Sequence, residues 1–141
     1  MKTVSAGIAM LFALCATASA QEAANTTTLS LELNAVKQID DACQMTFLVR
    51  NQLGADIDDL AFEFALFGAD GGIQQLVTLD FNGVATNKTR VLQFAIPQLA
   101  CSSLTRILVN GATACAGPAL AKTACIDKLV LNGRPDISFD L

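Results

Sequence analysis

The chain has 141 residues, with 9 basic and 13 acidic side chains, and it contains no histidine, tryptophan or tyrosine. Without histidine it has no Ser-His or Cys-His nucleophile, no imidazole metal ligand and no histidine acid or base. A net charge of -4 with scattered Lys and Arg disfavours nucleic-acid binding. We therefore predict one small non-enzymatic domain with no catalytic, cofactor-binding or metal-binding residues and no nucleic-acid partner.

The first twenty residues have the features of a Sec-type secretory signal peptide. Lys2 gives a positive start, an apolar run follows at 6–16, and Ala18-Ser19-Ala20 matches the small-x-small pattern of signal peptidase sites. Cleavage between Ala20 and Gln21 would deliver the protein to the periplasm or the exterior. The apolar run is too short to cross a bilayer comfortably and no comparable run follows, so we predict no membrane span. Loss of Lys2 leaves 8 basic and 13 acidic residues, a net charge of −5.

Four cysteines remain after cleavage, namely Cys43, Cys101, Cys115 and Cys125. An even number in a small exported chain indicates two disulfides, for which three connectivities are open. We favour Cys43–Cys101, which would tie early strands to late ones, with Cys115–Cys125, which would close a short local loop. A four-thiolate zinc site is the alternative, but no C-x-x-C pair is present.

Alternating apolar residues predict short strands through the first half of the mature chain. A loose polar leader at 21–28 precedes strands at 29–33, 43–51 and 60–66. The inward positions of the last two are Cys43, Met45, Phe47 and Val49, then Leu60, Phe62, Phe64 and Leu66. The glycine-rich turn at 68–72 leads into a strand at 73–81, which predicts a hairpin.

The second half continues the same pattern with one helical exception. Strands are predicted at 90–96, ended by Pro97, and at 105–110, stopped by Gly111. Pro118–Cys125 is the best helix candidate, because proline suits a first helical turn. Short strands follow at 128–132 and 136–141.

About seven strands with one short C-terminal helix indicate an all-β fold, an antiparallel immunoglobulin-like sandwich over residues 29–141. A small α+β domain is the alternative if 35–42 and 118–125 are both helices packed on the sheet.

Two sets of short motifs carry a family resemblance. The first is Thr46-Phe47-x-x-x-Asn51, Leu60-x-Phe62-x-Phe64-x-Leu66-Phe67, Asp70-Gly71 and Arg90-x-x-x-Phe94-x-Ile96-Pro97. It resembles bacterial extracytoplasmic immunoglobulin-like domains of the FxLYD type. The second is Leu29-x-Leu31-Glu32-Leu33-Asn34, Cys43-x-x-Thr46-Phe47-x-x-x-Asn51, Leu66-Phe67 and Leu108-Val109-Asn110-Gly111, with the four cysteines. It is similar to a family of small exported alphaproteobacterial proteins of unassigned function, often labelled as carrying a Tat pathway signal. The resemblance implies location and fold rather than a mechanism, and the lack of an Arg-Arg pair favours the Sec route here.

Two features could carry chemistry. The carboxylate clusters at 56–59 and 40–41 are typical of solvated turns, and a Ca²⁺ site is the alternative, although the EF-hand spacing is missing. The phenylalanines occupy alternating strand positions and are expected in the core rather than in a ligand pocket. Phe67 is the exception: it lies on the face opposite Leu66, where it would cap the hairpin or join a binding patch.

We expect a binding or structural role in which an exposed sheet edge recruits a strand of an envelope protein. One alternative is a small secreted hydrolase inhibitor, which a rigid, exposed Cys115–Cys125 loop would favour. Another is a small-ligand carrier or enzyme accessory protein, which a cavity between the sheets would favour.

Overall fold

A computed structural model describes residues 26–141, so the predicted signal peptide and most of the leader lie outside the described residues. The described residues form eight strands, β1 (Leu29–Ile39), β2 (Ala42–Asn51), β3 (Asp59–Gly68), β4 (Ile73–Asp80), β5 (Thr89–Pro97), β6 (Leu104–Ala116), β7 (Leu129–Gly133) and β8 (Ser138–Asp140). A 3₁₀ turn at Cys101–Ser103 precedes β6, and a one-turn helix α1 (Ala124–Asp127) precedes β7. Sheet 1 has the order β5-β2-β1-β7 and sheet 2 has the order β4-β3-β6-β8. The expected all-β sandwich is confirmed.

The core lies between the two sheets and is built from the predicted inward positions. The apolar side chains that alternate along β2 and β3 are buried, while their polar neighbours are more exposed. Phe47 is fully buried, and its ring centroid lies 5.6 Å from that of Phe64 and 5.7 Å from that of Phe81. Such offset and edge-on packing is the arrangement that aromatic rings prefer. Phenylalanine rings therefore fill the middle of the sandwich.

Both favoured disulfides form. Cys43–Cys101 joins β2 of sheet 1 to the 3₁₀ turn that leads into β6 of sheet 2, so it braces one sheet against the other. Cys115–Cys125 joins the end of β6 to α1 and closes the loop between them.

The two C-terminal strands differ from the expected antiparallel pattern. β7 lies parallel to β1, and β8 lies parallel to β6. A tight hairpin imposes antiparallel pairing, but almost the whole domain separates β1 from β7. Their relative direction is therefore set by packing rather than by a turn, which is why local sequence patterns did not reveal it.

The structure contradicts one open alternative and two local predictions. Segment 35–42 is not helical, because β1 continues to Ile39 past a register shift between Leu33 and Ala35, so the α+β alternative falls. Gly111 does not stop β6, because the register shifts on either side of the glycine absorb the irregularity and the strand continues to Ala116.

The third correction concerns the helix, which is Ala124–Asp127 rather than Pro118–Cys125. Residues before it form turns instead, in which the Leu120 N–H donates to the Gly117 carbonyl. The segment is held at both ends by the Cys115–Cys125 disulfide, and such a short closed loop leaves little room for a longer helix. No helix within residues 26–141 has the length and apolar character needed to cross a membrane.

Candidate functional site

The edge strands of the two sheets are short on one side of the sandwich and long on the other. β7 and β8 border one side and have only 5 and 3 residues, which is one way that proteins protect a sheet edge. β4 and β5 border the other side with 8 and 9 residues. The two strands lie on the same side of the sandwich, as shown by the hydrogen bond that Gln75 Nε2 of β4 donates to the Pro97 carbonyl of β5 at 3.1 Å. We call the unpaired long sides of these strands the β4 edge and the β5 edge.

The β5 edge is the more regular of the two. Nine consecutive residues of β5 pair with β2 without a register shift, and β5 is the terminal strand of sheet 1. The interior of the strand, 91–96, contains neither a charge nor a proline. Val91 on its outer face is 64% exposed. Long, uncharged edges of this kind are templates for pairing with another strand.

The backbone groups that face the open edge follow from the hydrogen bonding of β2. The Asn51 N–H donates to the Lys88 carbonyl at 3.0 Å, and bonding residues alternate along an antiparallel pair. The even-numbered residues of β5 therefore bond to β2. Val91, Gln93 and Ala95 direct their N–H and C=O groups away from β2, where no strand of the described chain receives them.

The two ends of the β5 edge are capped. At one end Pro97 has no N–H, and its carbonyl already accepts from Gln75. At the other end the Arg90 guanidinium donates from Nη1 to the carbonyls of Phe81 and Gly83 at 2.9 and 2.6 Å. The charge of Arg90 is thus held beside the preceding loop, and the free stretch of edge lies between these two residues.

The β4 edge is less regular. Its pairing with β3 shifts register between Leu66 and Phe67, and an edge bulge of this kind discourages strand addition. Ile73 and Leu76 of β4 are nevertheless 57% and 59% exposed, on the outer face of sheet 2.

Phe67 lies on that same outer face, where it pairs with Ile73. The Arg106 guanidinium carbon lies 5.1 Å from the centre of its ring, within the range of a cation–π contact. Arg106 also forms an ion pair with Asp140 of β8, with an Nη2–Oδ1 distance of 2.7 Å. The hydrogen bonds from Arg106 lower the pKa of Asp140 below its ordinary value. Phe67 therefore supports the attachment of β8.

The second ion pair of the described residues also fastens the C-terminal segment. Arg134, which follows β7, donates from Nε to Glu32 Oε1 of β1 at 2.7 Å. A hydrogen bond from Asn34 and then the one from Arg134 lower the pKa of Glu32. Charge pairs thus hold down both short C-terminal strands.

The Cys115–Cys125 loop is exposed along most of its length, and Lys122 is solvent-exposed within it. Its base is held against the body of the protein, because the Asp58 N–H donates to the Ala116 carbonyl at 2.7 Å. A Cβ added at Gly117 would overlap the Asp56 carbonyl oxygen, so the loop needs glycine there.

The carboxylates considered for calcium do not converge. Asp56 accepts the Thr86 N–H at 2.7 Å, and Asp40 occupies the β1–β2 turn with a φ of 49°. Within residues 26–141 no three His, Cys, Asp or Glu side chains form a group that could hold a metal ion.

Two surface depressions on the described part of the chain lie outside the space between the sheets. A pocket of about 380 Å³ is lined by Thr26–Thr28 and Asp127–Val130. A second of about 260 Å³ lies over the outer face of sheet 1, around Glu32, Leu48 and Arg50.

One structural residue escaped the sequence-based prediction. Asn51 is the only fully buried polar residue within the described part of the chain, and its Nδ2 donates to the carbonyls of Ala55 and Val84 at 2.8 Å each. Its Oδ1 accepts the Leu53 N–H at 2.9 Å. The alternation Cys43 to Val49 continued by one step would have pointed Asn51 inward, so the signal was present.

Comparison of the chain with protein-family models, with curated proteins and with solved structures finds no match. Functional interpretation therefore depends on the geometry of the edges and the loop.

Proposed function

We propose that the protein is a non-enzymatic, exported β-sandwich, resident in the periplasm or secreted, whose role is to bind an extended strand of another polypeptide chain along the β5 edge. Strand addition uses main-chain hydrogen bonds for affinity and alternate side chains for specificity. The observation that carries the proposal is the uninterrupted pairing of β5 with β2 beside an open edge that has no charge between residues 91 and 96.

The remaining features support export. Disulfides persist in oxidising compartments, and both cystines brace the domain. The signal-like residues 1–20, and the motifs that resemble those of small exported alphaproteobacterial proteins, support the same location. A protein of the envelope is the expected class of partner.

The test is recovery of a partner from the native envelope with the tagged exported protein and two variants at one position. Gln93→Pro removes an N–H that faces the open edge and leaves the backbone hydrogen bonds to β2 intact, because proline is tolerated where the missing N–H faces solvent. The side-chain bond from Gln93 Nε2 to Thr46 Oγ1 of β2 is lost with the glutamine in both variants. Gln93→Thr keeps the N–H and a good strand former, so it is the matched control. We expect the wild type and Gln93→Thr to retain a stoichiometric strand partner and Gln93→Pro to lose it. Equal recovery by all three would refute the proposal.

A second candidate is inhibition of a hydrolase by the Cys115–Cys125 loop. The observation in its favour is that this loop is exposed, cross-linked and held at Gly117. Its backbone is folded into turns, and Thr123 has helical angles (φ −92°, ψ −8°), which is unlike the extended shape that peptidase clefts accept. Loss of inhibition in a Lys122→Ala variant, with no change in Gln93→Pro, would favour this candidate over the edge. Neither of the two surface pockets on the described residues lies between the sheets, so neither supports a small-ligand carrier.

A further inference from the structure

The free stretch of β5 is nearly symmetric in its chemistry. Val91 and Leu92 precede Gln93, and Phe94 and Ala95 follow it, so two apolar residues flank one uncharged polar residue on each side. A two-fold axis through Gln93 places the apolar residues of one copy opposite apolar residues of the other. An isologous dimer interface requires such self-complementarity.

We propose that β5 recruits β5 of a second copy of this chain, antiparallel and centred on Gln93, to form a symmetric dimer with one continuous sheet across both copies. This inference rests on the proposed strand-binding function and names the partner.

The length of β5 selects the register. Thr89–Pro97 has its midpoint at Gln93, so only pairing Gln93 with Gln93 of the second copy matches the strands along their full length. Val91 then lies opposite Ala95 of the second copy on the outer face. On the inner face, the half-buried Leu92 lies opposite the half-buried Phe94 of the second copy. An aromatic–aliphatic cross-strand pair is therefore repeated on both sides of the axis.

The hydrogen bonding agrees with this register. Val91, Gln93 and Ala95 are the residues whose backbone groups face the open edge, and each would meet a residue with the same orientation. Pairing them in both copies would form about six new backbone hydrogen bonds. The pairs at the two ends are weaker, because Pro97 has no N–H to donate.

Charge does not oppose the pairing locally. Arg90 is the only charged residue of β5, and the two copies of it would lie six residues apart along the strands, or roughly 20 Å. That distance exceeds the screening length of about 8 Å at physiological salt. The net charge of −5 on each exported chain repels at longer range, so dimerisation should strengthen as salt is added.

The decisive experiment measures the mass of the exported protein by sedimentation equilibrium. It compares the wild type with variants that place a charge at Gln93, on the two-fold axis. Gln93→Glu and Gln93→Lys each set two like charges directly opposite one another, whereas a mixture of the two sets opposite charges there. We expect a wild-type dimer, dissociation constants raised at least about tenfold for each variant alone, and a heterodimer when the two are mixed. Leu76→Lys on the β4 edge is the control and should remain dimeric.

Several results would overturn the dimer. They are a wild type that stays monomeric up to about 1 mM, a mixture no tighter than its components, or loss of the dimer in Leu76→Lys alone. A monomeric wild type that still captures an envelope protein in a Gln93-dependent way would remove the second copy as partner and leave the strand-binding function standing. A monomeric wild type with capture insensitive to Gln93→Pro would remove both.

Discussion

The two disulfides should contribute unequally to stability, and the double variants Cys43→Ala/Cys101→Ala and Cys115→Ala/Cys125→Ala measure each contribution. In the chain-entropy description a cross-link stabilises by restricting the unfolded chain, and the effect grows with the length of the closed loop. The separations are 58 and 10 residues. These lengths correspond to about 4.2 and about 2.7 kcal/mol, a difference of about 1.5 kcal/mol.

Location adds to the difference. Each cystine has one fully buried member, Cys43 or Cys125, so the space that truncation leaves in the core is similar for both. Only Cys43–Cys101 joins one sheet to the other, whereas Cys115–Cys125 closes an exposed loop. The assay is urea unfolding without reductant, comparing the free energy of unfolding of the wild type with that of each double variant. We expect the Cys43/Cys101 variant to lose clearly more stability. An equal or larger loss in the Cys115/Cys125 variant would refute the reasoning, because it would place the main brace in the loop.

Three further changes test the fold at other points. Asn51→Ala should lower the free energy of unfolding by about 3 kcal/mol, since it leaves buried backbone groups without partners, and a urea midpoint like that of the wild type would contradict the buried role. Asp140→Asn should destabilise the protein at neutral pH and not in strong acid. The pKa of Asp140 is lowered in the folded state, so the stability that its ionised carboxylate contributes is complete above the ordinary pKa of 3.8. That contribution disappears as the pH falls through the lowered pKa of the folded state. Thermal melts across pH check this, and a constant difference from the wild type would argue against it. Gly71→Ala forces a side chain onto a φ of +78° and should cost about 1 kcal/mol in urea unfolding, whereas Gly111→Ala, in open space without a positive φ, should change stability by less than about 0.5 kcal/mol.

The central part of the fold was predictable from local patterns. Alternation along 43–51 and 60–66 specifies which face is buried, because a strand with one buried face cannot slip by a residue without exposing its apolar set. The hairpin between β3 and β4 follows from its glycine-rich turn, in which Gly71 takes a positive φ.

The errors arise where long-range packing overrides local signals. Gly111 predicts the end of a strand, but β6 continues through it because the strand pairs with β3 on both sides of the glycine. Pro118 predicts the start of a helix, but the segment forms turns within the loop that the Cys115–Cys125 disulfide closes. The parallel placement of β7 and β8 depends on contacts with β1 and β6 that no sequence window contains.

The candidate site was predictable only in kind. An exposed edge follows from any open sandwich, but which strand lies at the edge depends on sheet order, which alternation does not encode. The same holds for the direction of each backbone N–H, which depends on the register between β2 and β5.

The most direct test of strand binding is residue-resolved amide hydrogen exchange along β5, in the dilute exported protein and again when saturated with its strand partner. In the dilute protein we expect fast exchange at Val91, Gln93 and Ala95 and slow exchange at Leu92 and Phe94, which bond to β2. In the saturated state the three fast amides should become slow. Unchanged fast exchange at all three under saturation would contradict strand addition at the β5 edge.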